Sequence, residues 1–219
     1  MSPDPREHHN LHGSDDLIGR IGRRLLPEPE PVAEAARLRP DWQPDTPFDR
    51  PPVPAAVLIA LIRRASGLSV LYTERSQDLR SHSGQIAFPG GKVDPTDIDA
   101  ADAALREANE EVALDRSEAE VLGYLPLYYT GTNYLITPVV AIVEPSRPLV
   151  PNPAEVRSVF EVPLGWLMDA RNYGTYRIRR GGEEHTTWQI QHDDLVIWGI
   201  TANLTRRFHD LALSPEAER

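Results

Sequence analysis

Three glutamates and an arginine lie within six consecutive positions of an Ala-rich segment: Arg106, Glu107, Glu110 and Glu111. In a helix each residue turns by about 100°, so Glu107 and Glu111 share one face, with Glu110 and Arg106 beside them. Carboxylates so close together repel one another, and more strongly when partly buried, so the arrangement favours a bound cation. Carboxylate oxygens prefer Mg²⁺ or Mn²⁺ to zinc or copper. The alternative is a solvated helix face that binds no metal.

The opposite side of the same segment is apolar. It carries Ala101, Ala104, Leu105, Ala108 and Val112. An apolar stripe at this spacing predicts that the helix packs against a sheet. The carboxylates on the other side are then expected to face a cleft.

The residues before this helix add a second element of a binding site. The Phe-Pro-Gly-Gly sequence at 88–91 predicts a turn, because its glycines permit a positive φ and let backbone amides approach a phosphate. A loop over 92–99 leads to the helix, with Asp97 or Asp99 as the N-cap. A glycine turn followed by an acidic helix predicts a combined phosphate and metal site.

Composition limits the other kinds of site. The chain has 219 residues, 40% of them hydrophobic, which suits one domain with an extension. It has no cysteine, so disulfides, thiolate metal sites and a cysteine nucleophile are excluded. A net charge of -10 at pH 7 argues against a nucleic-acid partner. The sequence shows neither a signal peptide nor a long apolar window, so we expect a cytoplasmic protein without a membrane partner.

The order of elements predicts a mixed α/β or α+β domain. The apolar run 55–64 predicts a strand buried on both faces, with 69–76 as its hairpin partner. Further strands are predicted over 121–129 and 134–143. Residues 157–170 begin as a strand and continue as a helix.

The two ends of the chain have helical patterns. A helix is predicted over 15–26, followed by a Pro-rich connector over 27–54. Near the other end, a hairpin around residues 181–182 precedes an amphipathic helix over 196–213. The N-terminal helix and the connector are expected either to build a homodimer interface or to cap the monomer.

The acidic helix and the glycines before it resemble the Nudix box. Its usual form is Gly, five residues, Glu, seven residues, Arg-Glu, an aliphatic residue, any residue, Glu-Glu, any residue, Gly and an aliphatic residue. The matching positions are Gly91, Arg106, Glu107, Ala108, Glu110, Glu111 and Leu114. Three features differ: the loop is one residue longer, Asp97 replaces the early Glu, and Ala113 replaces the late Gly. None of them changes the helix glutamates.

The residues upstream are similar to the motif of one branch of that family, the coenzyme A pyrophosphatases. That motif reads Leu-Leu-Thr-x-Arg-Ser/Ala, three residues, Arg, three residues, Gly, three residues, Phe-Pro-Gly-Gly. The matching positions are Leu71, Thr73, Arg75, Ser76, Arg80, Gly84 and 88–91. Tyr72 replaces the second Leu. The longer box of this branch, with Asp in the loop, accounts for the first two differences.

This resemblance implies a fold and a reaction. The fold is an α/β/α sandwich around a mixed sheet over residues 50–213, with an extension over 1–49 and a tail over 214–219. The reaction is attack of water on a pyrophosphate phosphorus, which for coenzyme A gives 3',5'-ADP and 4'-phosphopantetheine. Mg²⁺ or Mn²⁺ bridging the pyrophosphate would neutralise charge and lower the pKa of a bound water.

The resemblance also implies roles for the acidic helix. Glu107, Glu110 and Glu111 are the expected metal ligands, together with the backbone carbonyl of Gly91. Arg106 is expected to pair with a ligand carboxylate and orient it, so all four helix residues are candidates for the catalytic set.

Further candidates lie outside the helix. Arg75, Arg80, Gly90 and Gly91 are the expected substrate-binding residues, since guanidinium groups suit phosphates. For Arg75 a structural ion pair is the alternative. Glu155, in a loop before a predicted strand, is a candidate general base, with an ordinary exposed glutamate as the alternative.

Three other functions stay open at this point. A Nudix hydrolase could act on ADP-ribose, a dinucleotide polyphosphate or a capped RNA. A Nudix fold could also serve as a binding protein without catalysis. An acidic α/β protein with solvated glutamates would show no effect of Mg²⁺ or Mn²⁺ on its stability.

Overall fold

A mixed sheet of eight strands forms the centre of the fold in a computed structural model, which describes residues 5–33, 38–40, 48–76, 84–180 and 183–213. Numbered along the chain, the strands are β1 (Val53–Arg64), β2 (Gly67–Arg75), β3 (Ile86–Ala87), β4 (Gly90–Lys92), β5 (Ala119–Tyr124), β6 (Tyr128–Tyr129), β7 (Tyr134–Val143) and β8 (Val156–Pro163). β1 is parallel to β7 and antiparallel to β2 and β4. β3 and β8 pair with β2, whereas β5 and β6 pair with β7.

Four α-helices and a second, three-stranded sheet are further regular elements of the described part of the chain. They are α1 (Pro5–Gly22), α2 (Ala100–Val112), α3 (Leu164–Leu167), β9 (Tyr173–Arg180), β10 (Glu183–His192), β11 (Leu195–Trp198) and α4 (Ile200–Phe208). A π-helical turn, His209–Leu213, follows α4. None of the helices in the described ranges combines the length and hydropathy that a bilayer crossing needs.

Both faces of β1 are buried, as its apolar run predicts. Ile59 and Leu61 belong to a core that also contains residues of α1, α3 and α4. Leu58 and Ala60 point the other way, into a second core with α2. Helices therefore cover both faces of the mixed sheet, and the predicted α/β/α arrangement is confirmed.

The predicted strand over 121–129 is divided in two. β5 ends at Tyr124 and β6 begins at Tyr128, and both pair with β7. Pro138 lies in β7 opposite the gap and has no N–H to donate, although its carbonyl accepts from Leu125 at 3.0 Å. A proline inside the central sheet thus interrupts the ladder on that side.

The prediction of one helix over 196–213 was wrong in its first turn. Leu195–Trp198 form β11, which pairs antiparallel with β10. Gly199, with a φ of +68°, then turns the chain into α4. Val196 and Ile197 are β-branched and have a partner strand beside them, so pairing overrides the helical spacing.

The N-terminal helix also differs from its prediction. α1 runs over Pro5–Gly22 rather than 15–26. Leu26 exchanges two backbone hydrogen bonds of 2.9 Å with Tyr124, which holds it in extended pairing at the edge of the sheet. The Glu30 carboxylate accepts from the N–H of Leu127 at 2.8 Å. The residues after α1 therefore pack on the main sheet.

Candidate active site

The acidic helix α2 is fixed at both ends by local contacts. Asp99, one of the two predicted caps, accepts a hydrogen bond from the N–H of Asp102 at 2.8 Å. At the other end Ala113 adopts a left-handed conformation, with a φ of 56° and a ψ of 31°. That conformation favours glycine, which explains why the family motif has Gly where this chain has alanine.

Asp97 has a different role from capping. Its side chain is buried and accepts two hydrogen bonds from Arg106, at 2.8 and 3.0 Å. The same guanidinium donates to Glu107 at 3.0 Å and to the carbonyl of Lys92 at 3.1 Å. Hydrogen bonding to Arg106 lowers the pKa of Asp97. Arg106 thus ties the loop before α2 to Glu107 and orients that carboxylate.

The three glutamates of α2 have three different environments. Glu110 is half-exposed and lies 3.4 Å from Arg106. Glu107 is mostly covered, and burial raises its pKa although Arg106 opposes the shift. Glu111 is only 2% exposed. A solvated glutamate face is therefore excluded for Glu111.

Glu111 is a buried carboxylate with too few partners. Its Oε2 has no hydrogen-bond partner among the described residues, and its Oε1 lies 3.8 Å from Arg75. Burial raises the pKa of Glu111 to about 8; Arg75 and a backbone hydrogen bond from Gly90 oppose this shift, while the charges of Glu107 and Glu155 add to it. Buried polar atoms are nearly always paired in native proteins, so this oxygen calls for an additional partner.

The two glycines before α2 are needed for different reasons. The predicted turn at 88–91 contains the short strand β4, which pairs with β1. Only Gly90 has a positive φ, of 155°, and a Cβ there would lie 2.7 Å from the Cα of Val57. At Gly91 a Cβ would fall where the Glu107 carboxylate lies. Gly91 therefore makes room for a glutamate of α2.

Glu155 reaches the site through the loop that covers the end of α2. Asn152 donates its N–H to the carbonyl of Glu111 at 2.8 Å and its side-chain amide to the carbonyl of Glu110 at 3.2 Å. The carbonyl of Glu155 accepts from Ser76 at 2.8 Å. These contacts hold Glu155 between α2 and the end of β2.

One cavity brings most of the sequence candidates together. We call it the acidic cavity; it has a volume of about 360 Å³, and its polar wall consists of Arg75, Gly90, Gly91, Lys92, Glu107, Glu111, Tyr134 and Glu155. Glu110 and Arg106 stand outside this wall, and Arg80 lies outside the described residues. Lys92 was not predicted, although it is the only lysine in the sequence and directly follows the two glycines.

The oxygen ligands of the site suit a hard divalent cation that takes only some of its ligands from the protein. Among the described residues, no three acidic or histidine side chains converge closely enough to form a complete ligand set. Mg²⁺ usually takes one or two carboxylates and fills its other positions with water and phosphate oxygens. Glu107 and Glu111, with the unpaired Oε2, fit that requirement.

Comparison with known proteins agrees with this geometry. A sequence model of the NUDIX domain matches residues 52–179. The uncharacterized Nudix hydrolase NudL of Escherichia coli (strain K12) is 45% identical over 152 residues, which are 69% of this chain and 79% of NudL.

Two solved structures have a partial likeness. DR0079 from Deinococcus radiodurans has a TM-score of 0.48 at 18% identity, covering 76% of this chain and 88% of its own. A C. elegans Ap4A hydrolase binary complex has a TM-score of 0.43 at 21% identity, covering 52% and 81%. The match to the family model includes the acidic helix and β4. On these sequence matches, the chain belongs to the Nudix hydrolase family.

Proposed function

We propose that the protein hydrolyses the diphosphate of coenzyme A or its derivatives, giving 3',5'-ADP and 4'-phosphopantetheine or its acyl form. The observation that carries the hydrolytic part is the buried Glu111, which has an oxygen without a hydrogen-bond partner among the described residues and lines a cavity with Glu107, Arg75 and Glu155. The resemblance of residues 71–91 to the coenzyme A branch motif supports the choice of substrate.

Nudix hydrolases generally use divalent metal ions, and we propose Mg²⁺ or Mn²⁺ here. Glu107 and Glu111 would hold the ion, together with the carbonyl of Gly91, and Glu110 stays a predicted ligand from the motif. When bound, such an ion neutralises phosphate charge and lowers the pKa of a coordinated water.

The protein's own groups have separate tasks in this proposal. Arg75 binds the diphosphate, because it lines the cavity and its buried Nε has no hydrogen-bond partner among the described residues. Glu155 accepts the proton of the attacking water, since it lies in the same cavity wall as Glu107 and Glu111. Arg106 acts indirectly, by holding the Glu107 carboxylate.

Product analysis tests the proposal directly. Coenzyme A, ADP-ribose and a dinucleotide polyphosphate are each incubated with the protein and Mg²⁺ or Mn²⁺, and the products are separated. We expect coenzyme A to be cleaved with the highest kcat/KM. In Glu111→Gln we expect kcat to fall at least about a hundredfold, the scale for removal of one electrostatic stabiliser.

The matched control is Glu120→Gln, the same substitution at an exposed position of β5. Its activity should equal that of the wild type. Faster cleavage of ADP-ribose or of the dinucleotide would contradict the substrate assignment. An unchanged rate in Glu111→Gln would contradict the role of Glu111.

A further inference from the structure

A second cavity lies directly beside the acidic cavity. We call it the side cavity; it has a volume of about 190 Å³. The two cavities share part of their walls, namely Val57, Arg75, Gly90, Tyr134 and Ile136. The two cavities are therefore adjacent, and the side cavity is within reach of a group attached to a diphosphate in the acidic cavity.

The far wall of the side cavity is built by α4. Ile200, Thr201 and Leu204, all in the first turns of this helix, line the cavity. The Thr201 hydroxyl donates to the carbonyl of Ile86 in β3 at 2.9 Å, which holds the helix against the sheet. These three residues lie beyond the NUDIX match at 52–179, whereas the rest of the lining lies within it.

The residues that line the side cavity favour an uncharged ligand group. Among the described lining residues Arg75, at the junction, is the only one with a charge. Ile86, Ile136, Ile200 and Leu204 supply aliphatic surface. A nucleotide with a phosphate on its ribose would place a second anion where no further described cation can meet it, at a large desolvation cost.

The remaining polar groups of the lining suit amides. They include the Thr132 hydroxyl and the side-chain amide of Gln85. The Thr130 hydroxyl is buried and already bonded to Thr132 and to the N–H of Tyr134, so it acts by holding Thr132 in place. Lys92, a cation that could meet an additional phosphate, lines the acidic cavity instead. The charged half of an asymmetric diphosphate thus fits on the side of Lys92, and the uncharged half on the side of α4.

We propose that the side cavity receives the uncharged, amide-containing aliphatic chain of the diphosphate substrate, and that Ile200 determines which chains fit. In coenzyme A this group is the pantetheine arm. The inference rests on the proposed function for the identity of the chain, whereas the cavity and its lining are independent of it. Ile200 is the residue to vary, because it lines the cavity and is only partly buried at the margin of the core.

Binding of the two separate products tests this without hydrolysis. The affinities of 4'-phosphopantetheine and of 3',5'-ADP for the full chain are measured by calorimetry in the presence of EDTA. We expect Ile200→Trp to weaken the binding of 4'-phosphopantetheine at least about tenfold, which is the effect of a steric change in an apolar pocket. Binding of 3',5'-ADP should stay within about twofold, the range of substitutions away from a contact.

Two controls separate filling of the cavity from general damage. Ile200→Ala enlarges the cavity and should keep 4'-phosphopantetheine binding. Leu211→Trp places the same bulky side chain at an exposed position of the π-helical turn, outside both cavities, and should change neither affinity. If Ile200→Trp does not fold, Ile200→Phe fills part of the same space and should weaken 4'-phosphopantetheine selectively.

The outcomes distinguish this inference from the proposed function. The inference is overturned if Ile200→Trp weakens the binding of both products equally, or weakens only the binding of 3',5'-ADP. It is also overturned if filling the cavity changes neither affinity. It also fails if the wild type does not bind 4'-phosphopantetheine, even when coenzyme A is cleaved. If the selective loss occurs but coenzyme A is not hydrolysed, the reaction is wrong and the side cavity keeps its assignment.

Discussion

Replacing Glu111 by glutamine should stabilise the metal-free protein while it abolishes catalysis. Glu111 is 2% exposed, one of its oxygens has no hydrogen-bond partner in the described part of the chain, and the charges of Glu107 and Glu155 act on it. An amide has nearly the same shape and carries no charge, so it removes the cost of burying an anion. When a binding site is destabilised in the absence of its ligand, removing the unfavourable charge is expected to stabilise the ligand-free protein.

The size of the effect follows from the pKa of Glu111, which burial raises from 4.5 to about 8. Each unit of pKa difference contributes ~1.4 kcal/mol, so at pH 7.5 the penalty is about 4 kcal/mol. A buried amide keeps part of the desolvation cost, and we therefore expect a net gain on the order of 2 kcal/mol. In a domain of this size that corresponds to a Tm increase of roughly 4–8 °C.

The effect must depend on pH with a definite sign. Because its pKa is higher in the folded state, Glu111 binds more protons there than in the unfolded chain, so its contribution to stability falls as pH rises. The free-energy cost of burying the Glu111 charge is absent below pH 4.5, the pKa in the unfolded chain. It grows as the pH rises to about 8, the pKa in the folded protein, and is constant at higher pH. The advantage of Glu111→Gln should therefore be smaller at pH 5.5 than at pH 7.5.

Thermal melts with EDTA at both pH values measure this difference. Glu110→Gln is the matched control, because its carboxylate is half-exposed on the same helix and should change stability by less than about 0.5 kcal/mol. Added Mg²⁺ or Mn²⁺ should raise the Tm of the wild type but not that of Glu111→Gln. A Glu111→Gln protein that melts below the wild type at pH 7.5 would refute the reasoning.

Three further substitutions test single contacts of the site. Ala113→Gly should stabilise the protein by about 0.5–1 kcal/mol, because it relieves a left-handed alanine; an equal loss in urea titration would contradict this. Gly91→Ala forces the Glu107 carboxylate to move, so kcat should fall about a hundredfold, and wild-type turnover would show that this carboxylate is not needed there. Asp97→Asn weakens the hydrogen bonds to Arg106 and should lower kcat about tenfold. Asp97→Glu introduces the usual residue of the family motif and should keep a kcat closer to that of the wild type. Equal kcat values for the two variants would argue against a positioning role of Asp97.

Much of the site could be predicted from sequence because its key spacings are local. Glu107, Glu110 and Glu111 are placed by helical geometry, and Asp99 caps the helix through a contact over three residues. The apolar runs of β1 and β7 are long enough to identify buried strands without knowledge of their partners. Residues close in sequence meet in the same way in almost any fold, which is why these predictions succeeded.

Tertiary structure decided what the local pattern could not. The three glutamates look alike in sequence, yet only Glu111 is enclosed, because the end of β2 and the loop at Glu155 close over it. Likewise Leu195–Trp198 form a strand because β10 lies beside them. Ile200 lines a cavity because the neighbouring Thr201 is hydrogen-bonded to β3. Burial and the pKa shifts that follow depend on which distant elements meet, and a helical or strand period carries no information about that.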